Sequence, residues 1–426
     1  MPSLVEDLEF RGLIYQEAGA GLRPDLDTGR VTAYIGFDPS ADSLHVGHLL
    51  QVLFLRRVQL HGHRPIALAG GGTGLIGDPG GKSEERPLLS EDEIGANLAG
   101  IRAQLERLLE FSPGPDGSGA LVVDNREWLG SLGVLEFLRD VGKHFTVNQM
   151  LAKEAVKSRV ERPEQGISFT EFSYMLLQAY DYLHLFDAYD CRLQVGASDQ
   201  WGNITMGLDL VRKVRGEEVY GLTTPLVLKA DGTKFGKTES GTVWLDPKRT
   251  SPYQLYQFFL RTEDSVAGTY LRYFTFLEPG DIEALDRSTS QHPERREAPR
   301  ALARAVCTLV HGQEETTRAE RAAAALYEGK IDELDEKMLL DVCAEAPSST
   351  WSRSALDGGI TLVDALVQSG LARSKSEART LVNQGGISVN GRRVRDTDAR
   401  LGRDDLLFGR HVVLQRGRDY HLVSVE

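Results

Sequence analysis

The first half of the chain alternates short apolar runs with segments of helical period, the pattern of a doubly wound α/β domain. Residues 31–37 (VTAYIGF) read as a strand closed by Asp38-Pro39. Residues 49–62 (LLQVLFLRRVQLHG) are apolar on almost every side and read as a buried helix stopped by Gly62. Residues 65–70 (PIALAG), 120–124 (ALVVD) and 192–196 (RLQVG) are further buried strands, and residues 222–229 (LTTPLVLK) form a later extended run. Beyond about residue 250 the strands thin out. SPYQLYQFFLRT, residues 294–326 and EKMLLDVCAEA carry helical patterns. The Ser-, Pro- and Gly-bearing stretch 345–359 reads as a linker, and from Ile360 short strands return around a helix. The pattern therefore predicts an α/β domain over 1–248, a helical domain over 249–344, a linker over 345–359 and a small α+β domain over 360–426.

Composition changes this picture little. A chain of 426 residues can bury more than one core, and no apolar run approaches the length of a membrane span. The opening MPSLVEDLEFRG is acidic and amphipathic, with no pattern of a secretory signal or transit peptide. Cys191, Cys307 and Cys343 are isolated in sequence, which argues against a disulfide framework and points to a reducing, cytoplasmic setting. The net charge of −13 argues, taken whole, against a nucleic-acid partner. It is unevenly spread: from Ile360 onward eleven Lys/Arg face eight Asp/Glu, so a basic module ends an acidic body.

The stretch GGGTGLIGDPGGKSEER (70–86) nearly matches two nucleotide-binding patterns. Gly72 to Gly77 spell GxGxxG, but a dinucleotide fingerprint needs its last glycine to open a helix, and Asp78-Pro79-Gly80-Gly81 forbids one. Gly81-Lys82-Ser83 resembles the end of a P-loop, yet Ile76 stands where the first glycine belongs. What remains is a glycine-rich loop after a strand, carrying Asp78, Lys82 and Arg86. Such a loop can close over a ligand, but by itself it reads more readily as a solvated surface turn.

A second motif shifts the balance. His45-Val46-Gly47-His48 follows a strand and opens the apolar helix, so the two imidazoles project to one side of a helix start that favours phosphate. Gly47 would leave room for a base or ribose against the backbone. Later, Lys234-Phe235-Gly236-Lys237-Thr238 places two lysines in a turn-rich loop that could clamp the other side of a polyphosphate. Each motif alone is more often a solvated charge cluster than a site. Together, in this order, they resemble the two hallmark sequences of class I aminoacyl-tRNA synthetases.

Further segments sharpen the resemblance to the bacterial-type tyrosyl-tRNA synthetases: YIGFDPSADSLHVGH, FTEFSYMLLQAYD, QVGASDQWGNI, PLVLKADGTKFGKT and VWLDP, spread over nearly the whole chain. The resemblance implies a Rossmann-like doubly wound parallel-sheet catalytic domain, an α-helical anticodon-binding domain and a ribosomal-protein-type small RNA-binding domain. It implies tyrosine, ATP and tRNA(Tyr) as substrates. Magnesium would be carried on the ATP phosphates, with no prosthetic group and no dedicated metal site. A homodimer with contacts near Phe169 is also implied.

The site residues follow from the same resemblance. His45, His48, Lys82, Arg86, Lys234, Lys237 and Thr238 would stabilise phosphate charge during activation. Asp78, Tyr174 and Gln178 would surround the substrate's amino group. Tyr34 and Asp181 would contact its phenolic hydroxyl, with Gln200 beside it. Asp38, Ser40, Gly47 and Asp199 would complete the ATP site with the imidazoles and lysines. Tyr174, Gln178 and Asp181 are spaced i, i+4 and i+7, which sets them on one helix face. An aspartate deep in a Leu- and Tyr-rich helix is costly without a partner, which favours function over packing.

Phenylalanine would leave both pocket groups unpaired, and the general account of such discrimination takes tyrosyl-tRNA synthetase as its own worked case. Ser40, Gln51 and Ala197 depart from the pattern associated with the family, which leaves individual ATP contacts open at Gln51 and Ala197. In the tail, SKSEARTLVNQGG and the Asn-Gly turn of VNGRRV point to Arg373, Lys375, Arg379, Arg392 and Arg393 as phosphate contacts. Two other readings compete. A tryptophanyl-tRNA synthetase shares the architecture but normally lacks this tail. An inactive RNA-binding scaffold would not need His45, His48, Lys234 and Lys237 intact.

Overall fold

A computed structural model describes residues 2–78, 89–112, 119–160, 166–233, 235–238, 241–344, 346–417 and 419–426. The chain divides into two compact units: Met1–Asp246 with Glu263–Ala298, and Pro247–Thr262 with Pro299–Glu426.

The first unit is built on a six-stranded sheet. Its strands are β1 (Gln16–Ala18), β2 (Thr32–Phe37), β3 (Arg64–Ala69), β4 (Leu121–Asp124), β5 (Cys191–Ala197) and β6 (Tyr220–Thr224), in the order β1-β6-β5-β2-β3-β4. Only the β1–β6 pair is antiparallel. From β2 the chain winds outward through β3 to β4, then returns to place β5 on the other side of β2. The carboxyl ends of β2 and β5 thus flank a topological switch point, where open α/β sheets bind ligands. Buried parallel strands carry largely apolar runs, which is why β2 and β3 were legible as such; β5 is apolar apart from Arg192 and Gln194. Helix Val46–Leu60 follows β2 with eleven of its residues buried. Helix Phe169–Tyr189 packs with Trp201–Arg215, and Tyr182, Met206 and Leu210 between them are fully buried. Each such apolar side chain contributes about 1.5–3 kcal/mol on burial.

Segment 263–298 was expected in the helical domain but belongs to the first unit. There the buried stripe Ala267, Tyr270, Leu271 and Phe274 of helix Asp264–Phe274 meets Phe235, and Arg57 and Arg11 donate to the Thr275 carbonyl.

The second unit joins helices Pro252–Leu260, Gln313–Glu328 and Glu336–Cys343 to a five-stranded sheet. Val413 and Leu422 of that sheet share a core with Ala322, Ile331 and Leu339. The stretch expected as a linker holds strand Ser348–Trp351, which adds in parallel to Asp419–Val425, and helix Arg353–Asp357. The VNGRRV hairpin is present: Ile387–Val389 pairs with Arg392–Val394 across Asn390 and Gly391, both at positive φ. That is the turn an Asn-Gly pair favours. Among the described residues no helix is long and apolar enough to cross a membrane.

Candidate active site

A cleft of about 630 Å³ opens at the carboxyl ends of β2 and β5. Tyr34, Asp38, Ser40, His45, Gly47, His48, Asp78, Tyr174, Gln178, Asp181, Asp199 and Gln200 all line it. Residues drawn from segments up to 166 positions apart are thereby brought to one place. Lys82, Arg86 and Lys234 lie outside the described residues. For Lys237 and Thr238 only the backbone is described: their short strand pairs antiparallel with Gly241–Thr242.

At one end, His45 is the N-cap of helix Val46–Leu60 and folds its ring back onto the helix start. Its Nδ1 accepts from the Gly47 N–H at 3.0 Å, and His48 Nδ1 accepts from the His45 N–H at 3.4 Å. With both Nδ1 atoms acting as acceptors, the neutral tautomer places each proton on Nε2. The two rings stack, centroids 3.8 Å apart and 14° between planes. This geometry bears on two expectations. The helix-start N–H groups are already engaged, Val46 to the Val243 carbonyl at 3.0 Å and His48 to the His45 carbonyl at 2.8 Å, so the imidazoles are the better-placed donors to an anion. Gly47 also makes room for the His45 ring, since a Cβ there would lie 2.8 Å from His45 Cε1.

The KFGKT loop is held against this helix start. Leu245 N–H donates to the Leu44 carbonyl at 2.8 Å, and a Cβ on Gly236 would lie 2.8 Å from Val46 Cγ2. Gly236 has φ +84°, so glycine satisfies both the backbone and the close approach. Leu226 and Leu228 line the same side of the cleft although roughly half exposed, giving it an apolar wall.

At the other end, Asp181 is 1 % exposed and accepts from Asn125 Nδ2 at 2.9 Å and Trp128 Nε1 at 2.8 Å. Burial raises its pKa to about 7; the two hydrogen bonds oppose that shift, while Asp38 and Asp124 add to it. Tyr34, equally buried, has no hydrogen-bond partner for its hydroxyl among the described residues, and burial raises its pKa well above the ordinary value. A buried hydroxyl left unpaired in the protein is a place for a ligand atom. Between the two ends, Tyr174 Oη donates to Asp38 at 2.9 Å, and Thr73 Oγ1 donates to the other Asp38 oxygen at 2.9 Å. Gln200 Nε2 donates to Asp78 at 2.7 Å, and Gln178 Nε2 to Gln200 Oε1 at 3.3 Å.

Sequence reasoning missed Asn125 and Trp128. Asn125 also receives the Gly72 N–H at 2.7 Å and donates to Thr73 Oγ1 at 3.0 Å, so it ties the glycine loop to Asp181. The only signal available was an Asn directly after a strand. Gln51, left open above, donates through Nε2 to Thr224 Oγ1 at 2.8 Å at the cleft wall.

The tail residues Arg373, Lys375, Arg379, Arg392 and Arg393 are all exposed. Lys375 pairs with Asp364 at 2.6 Å and Arg392 with Asp332 at 2.8 Å. Exposed pairs of this kind are worth little and can be exchanged for phosphate.

The model of the tRNA synthetases class I (W and Y) matches residues 26–328. The chain belongs to that family. The class I synthetase match is followed by one to the tyrosine–tRNA ligase SYY-like C-terminal domain over residues 341–423. Curated relatives include a tyrosine–tRNA ligase of Roseiflexus castenholzii, 54% identical over 427 residues and the full length of both chains. A tyrosine–tRNA ligase of Geobacillus stearothermophilus is 51% identical over 99% of each chain. Among solved class I synthetases, a C-terminally truncated mitochondrial tyrosyl-tRNA synthetase of Aspergillus nidulans superposes with a TM-score of 0.68. It is 34% identical and covers 76% of this chain and 94% of that one. A tryptophanyl-tRNA synthetase of Encephalitozoon cuniculi shares the fold at 15% identity and a TM-score of 0.55, over 74% of this chain and 87% of that one.

Proposed function

We propose that the protein is a tyrosine–tRNA ligase: it activates L-tyrosine with ATP and transfers the tyrosyl group to the 3′-terminal adenosine of tRNA(Tyr). The observation that carries this reading is a cleft with a buried polar end, Tyr34 and Asp181, and a stacked imidazole pair at the other. A phenolic hydroxyl donates to Asp181 and accepts from Tyr34; an indole N–H can do only the first. This favours tyrosine over tryptophan.

In the first step a tyrosine carboxylate oxygen attacks the α-phosphorus of ATP, and the bond to the β,γ-pyrophosphate breaks. His45 and His48 donate from Nε2 to the phosphate oxygens as charge grows, a preorganised electrostatic role. Lys82, Arg86, Lys234, Lys237 and Thr238 are assigned to the same charge. The Leu226–Leu228 wall takes the adenine, and Asp38, Ser40 and Asp199 the ribose and phosphate. Asp78, Tyr174, Gln178 and Gln200 hold the amino group and backbone of tyrosine. In the second step a ribose hydroxyl of the tRNA attacks the adenylate carbonyl and AMP leaves. Magnesium enters as part of the ATP substrate; among the described residues no group of three or more His, Cys, Asp or Glu could hold a metal.

The tRNA is gripped by the basic tail and the helices before it, in the cytoplasm. A homodimer is supported by Val134, Leu135 and Phe169, which are 73%, 83% and 77% exposed. Leu135→Asp with Phe169→Asp should then sediment as a monomer where the wild type sediments as a dimer; unchanged sedimentation counts against this surface. The direct test of the main reading is charging of total tRNA with labelled amino acids. Tyrosine alone should become acid-precipitable, and charging with tryptophan would overturn the proposal.

A further inference from the structure

Helix Asp264–Phe274 holds the KFGKT loop from behind. Tyr270 Oη donates to the Leu228 carbonyl at 2.7 Å, at the entry to the loop. Within the loop, the Phe235 ring stacks on Phe274 at 5.3 Å and 20° and meets Tyr270 edge-on at 4.9 Å. These three rings are 9%, 0% and 4% exposed, in the order Phe235, Phe274, Tyr270. On its other side the loop touches the HVGH helix through Gly236 and Val46.

The same C-terminal part of helix Asp264–Phe274 is fastened to the HVGH helix. Arg57, in the last turn of Val46–Leu60, donates to the Thr275 carbonyl at 2.6 Å and the Arg272 carbonyl at 3.3 Å. Its guanidinium lies 4.6 Å over the Phe276 ring. Arg11 donates to the carbonyls of Arg272, Thr275 and Leu277. Asp7 faces both arginines, 2.7 Å from Arg11 Nε and 3.4 Å from Arg57 Nε. Two guanidinium groups and one carboxylate, all more than nine-tenths buried, are an expensive way to close a core. They do satisfy the carbonyls at a helix end, which otherwise lack partners, and they fix that end in direction as apolar packing would not.

We propose that Arg57, Phe274 and Tyr270 form a brace that sets the position of the KFGKT loop against the HVGH imidazoles, which makes Tyr270 a positioning residue for adenylate formation. The proposal rests on the reading of the cleft as an ATP and tyrosine site. The phenol end of the cleft, at Tyr34 and Asp181, shares none of these contacts. The brace therefore acts on the rate of activation and not on tyrosine affinity.

Tyr270→Phe tests this with the full chain, since it removes one hydroxyl and keeps the ring. Rapid-quench adenylate formation at saturating tyrosine and varied ATP, equilibrium tyrosine binding and thermal melting are measured together. The rate constant at saturating ATP should fall about tenfold, as small displacements of reacting groups do, with tyrosine Kd unchanged and Tm within a few degrees. Arg57→Lys, which keeps the charge and loses the fork, should fall in the same direction. Wild-type adenylate rates in Tyr270→Phe overturn the proposal, as does a rate loss matched by an equal loss of tyrosine affinity. Failure of the wild-type protein itself to form tyrosyl-adenylate would sink the functional reading instead, so the two failures are distinguishable.

Discussion

Asp181 answers two opposed demands. In the proposed reading it accepts from a phenol at the base of the cleft, and burial there raises its pKa to about 7. Asn125 and Trp128 pull the other way, because each donates to the carboxylate and favours its charged form. A substrate hydroxyl that donates to this group needs the carboxylate. Tyrosine affinity should therefore weaken as pH falls, by about tenfold per unit well below pH 7. Titration calorimetry between pH 8 and 5.5 checks this, and a flat profile would mean that Asp181 does not accept from the ligand. The sign for stability is the reverse: a carboxyl whose folded pKa is raised favours the fold more as pH drops from about 7 toward its unfolded value near 4.

The imidazoles make a separate claim. His48→Ala should slow adenylate formation about 100-fold, the usual loss for one preorganised donor, with tyrosine Kd nearly unchanged; equal losses in both would contradict the role given to Nε2–H. At this scale the sequence pointed to Asp181 and the histidines, which the fold brings into one cleft. It hid those that act by contact: the Asn125–Asp181 and Trp128–Asp181 bonds span 56 and 53 positions, and nothing local marks either donor.

Among the elements, the start of helix Val46–Leu60 matters most to the proposed chemistry. Its glycine is there for the cap, not for helix stability, since alanine is the better helix former by about 1 kcal/mol. Gly47→Ala should consequently keep or raise Tm while pushing the His45 ring off its cap and slowing pyrophosphate exchange at least tenfold. Wild-type exchange in a melted-and-checked Gly47→Ala protein would show that the folded-back ring is dispensable. Strand legibility followed burial. β2 and β3 are apolar over most of their length because both faces are covered, while β5 interrupts its apolar run with Arg192 and Gln194. Ser348–Trp351 reads as linker in the sequence because three of its four residues are Ser or Thr, and only its terminal Trp351 is buried. Its place comes from pairing with Asp419–Val425, some seventy residues away, which no local pattern encodes.

At the scale of the whole molecule, charge is divided by task. The body is acidic and the tail basic, so the tail is where phosphate contacts should concentrate. Arg379→Ala with Arg393→Ala should raise the KM for tRNA about tenfold in moderate salt and leave tyrosine-dependent pyrophosphate exchange untouched. Steady-state charging compared with exchange reads this directly, and unchanged charging would move the tRNA grip elsewhere. The pattern changes near residue 248, and the first stretch of the first unit ends at Asp246. The return of residues 263–298 to that unit was not visible, because a buried helical stripe does not say which core it enters.

The central claim is that one cleft joins a triphosphate to a phenol-bearing amino acid. ATP–pyrophosphate exchange with the purified full-length protein tests it most directly, run in parallel with tyrosine, phenylalanine and tryptophan. The account predicts exchange driven by tyrosine, with phenylalanine weaker by several powers of ten and tryptophan inert. Exchange driven by tryptophan, or none with any of the three, would contradict it.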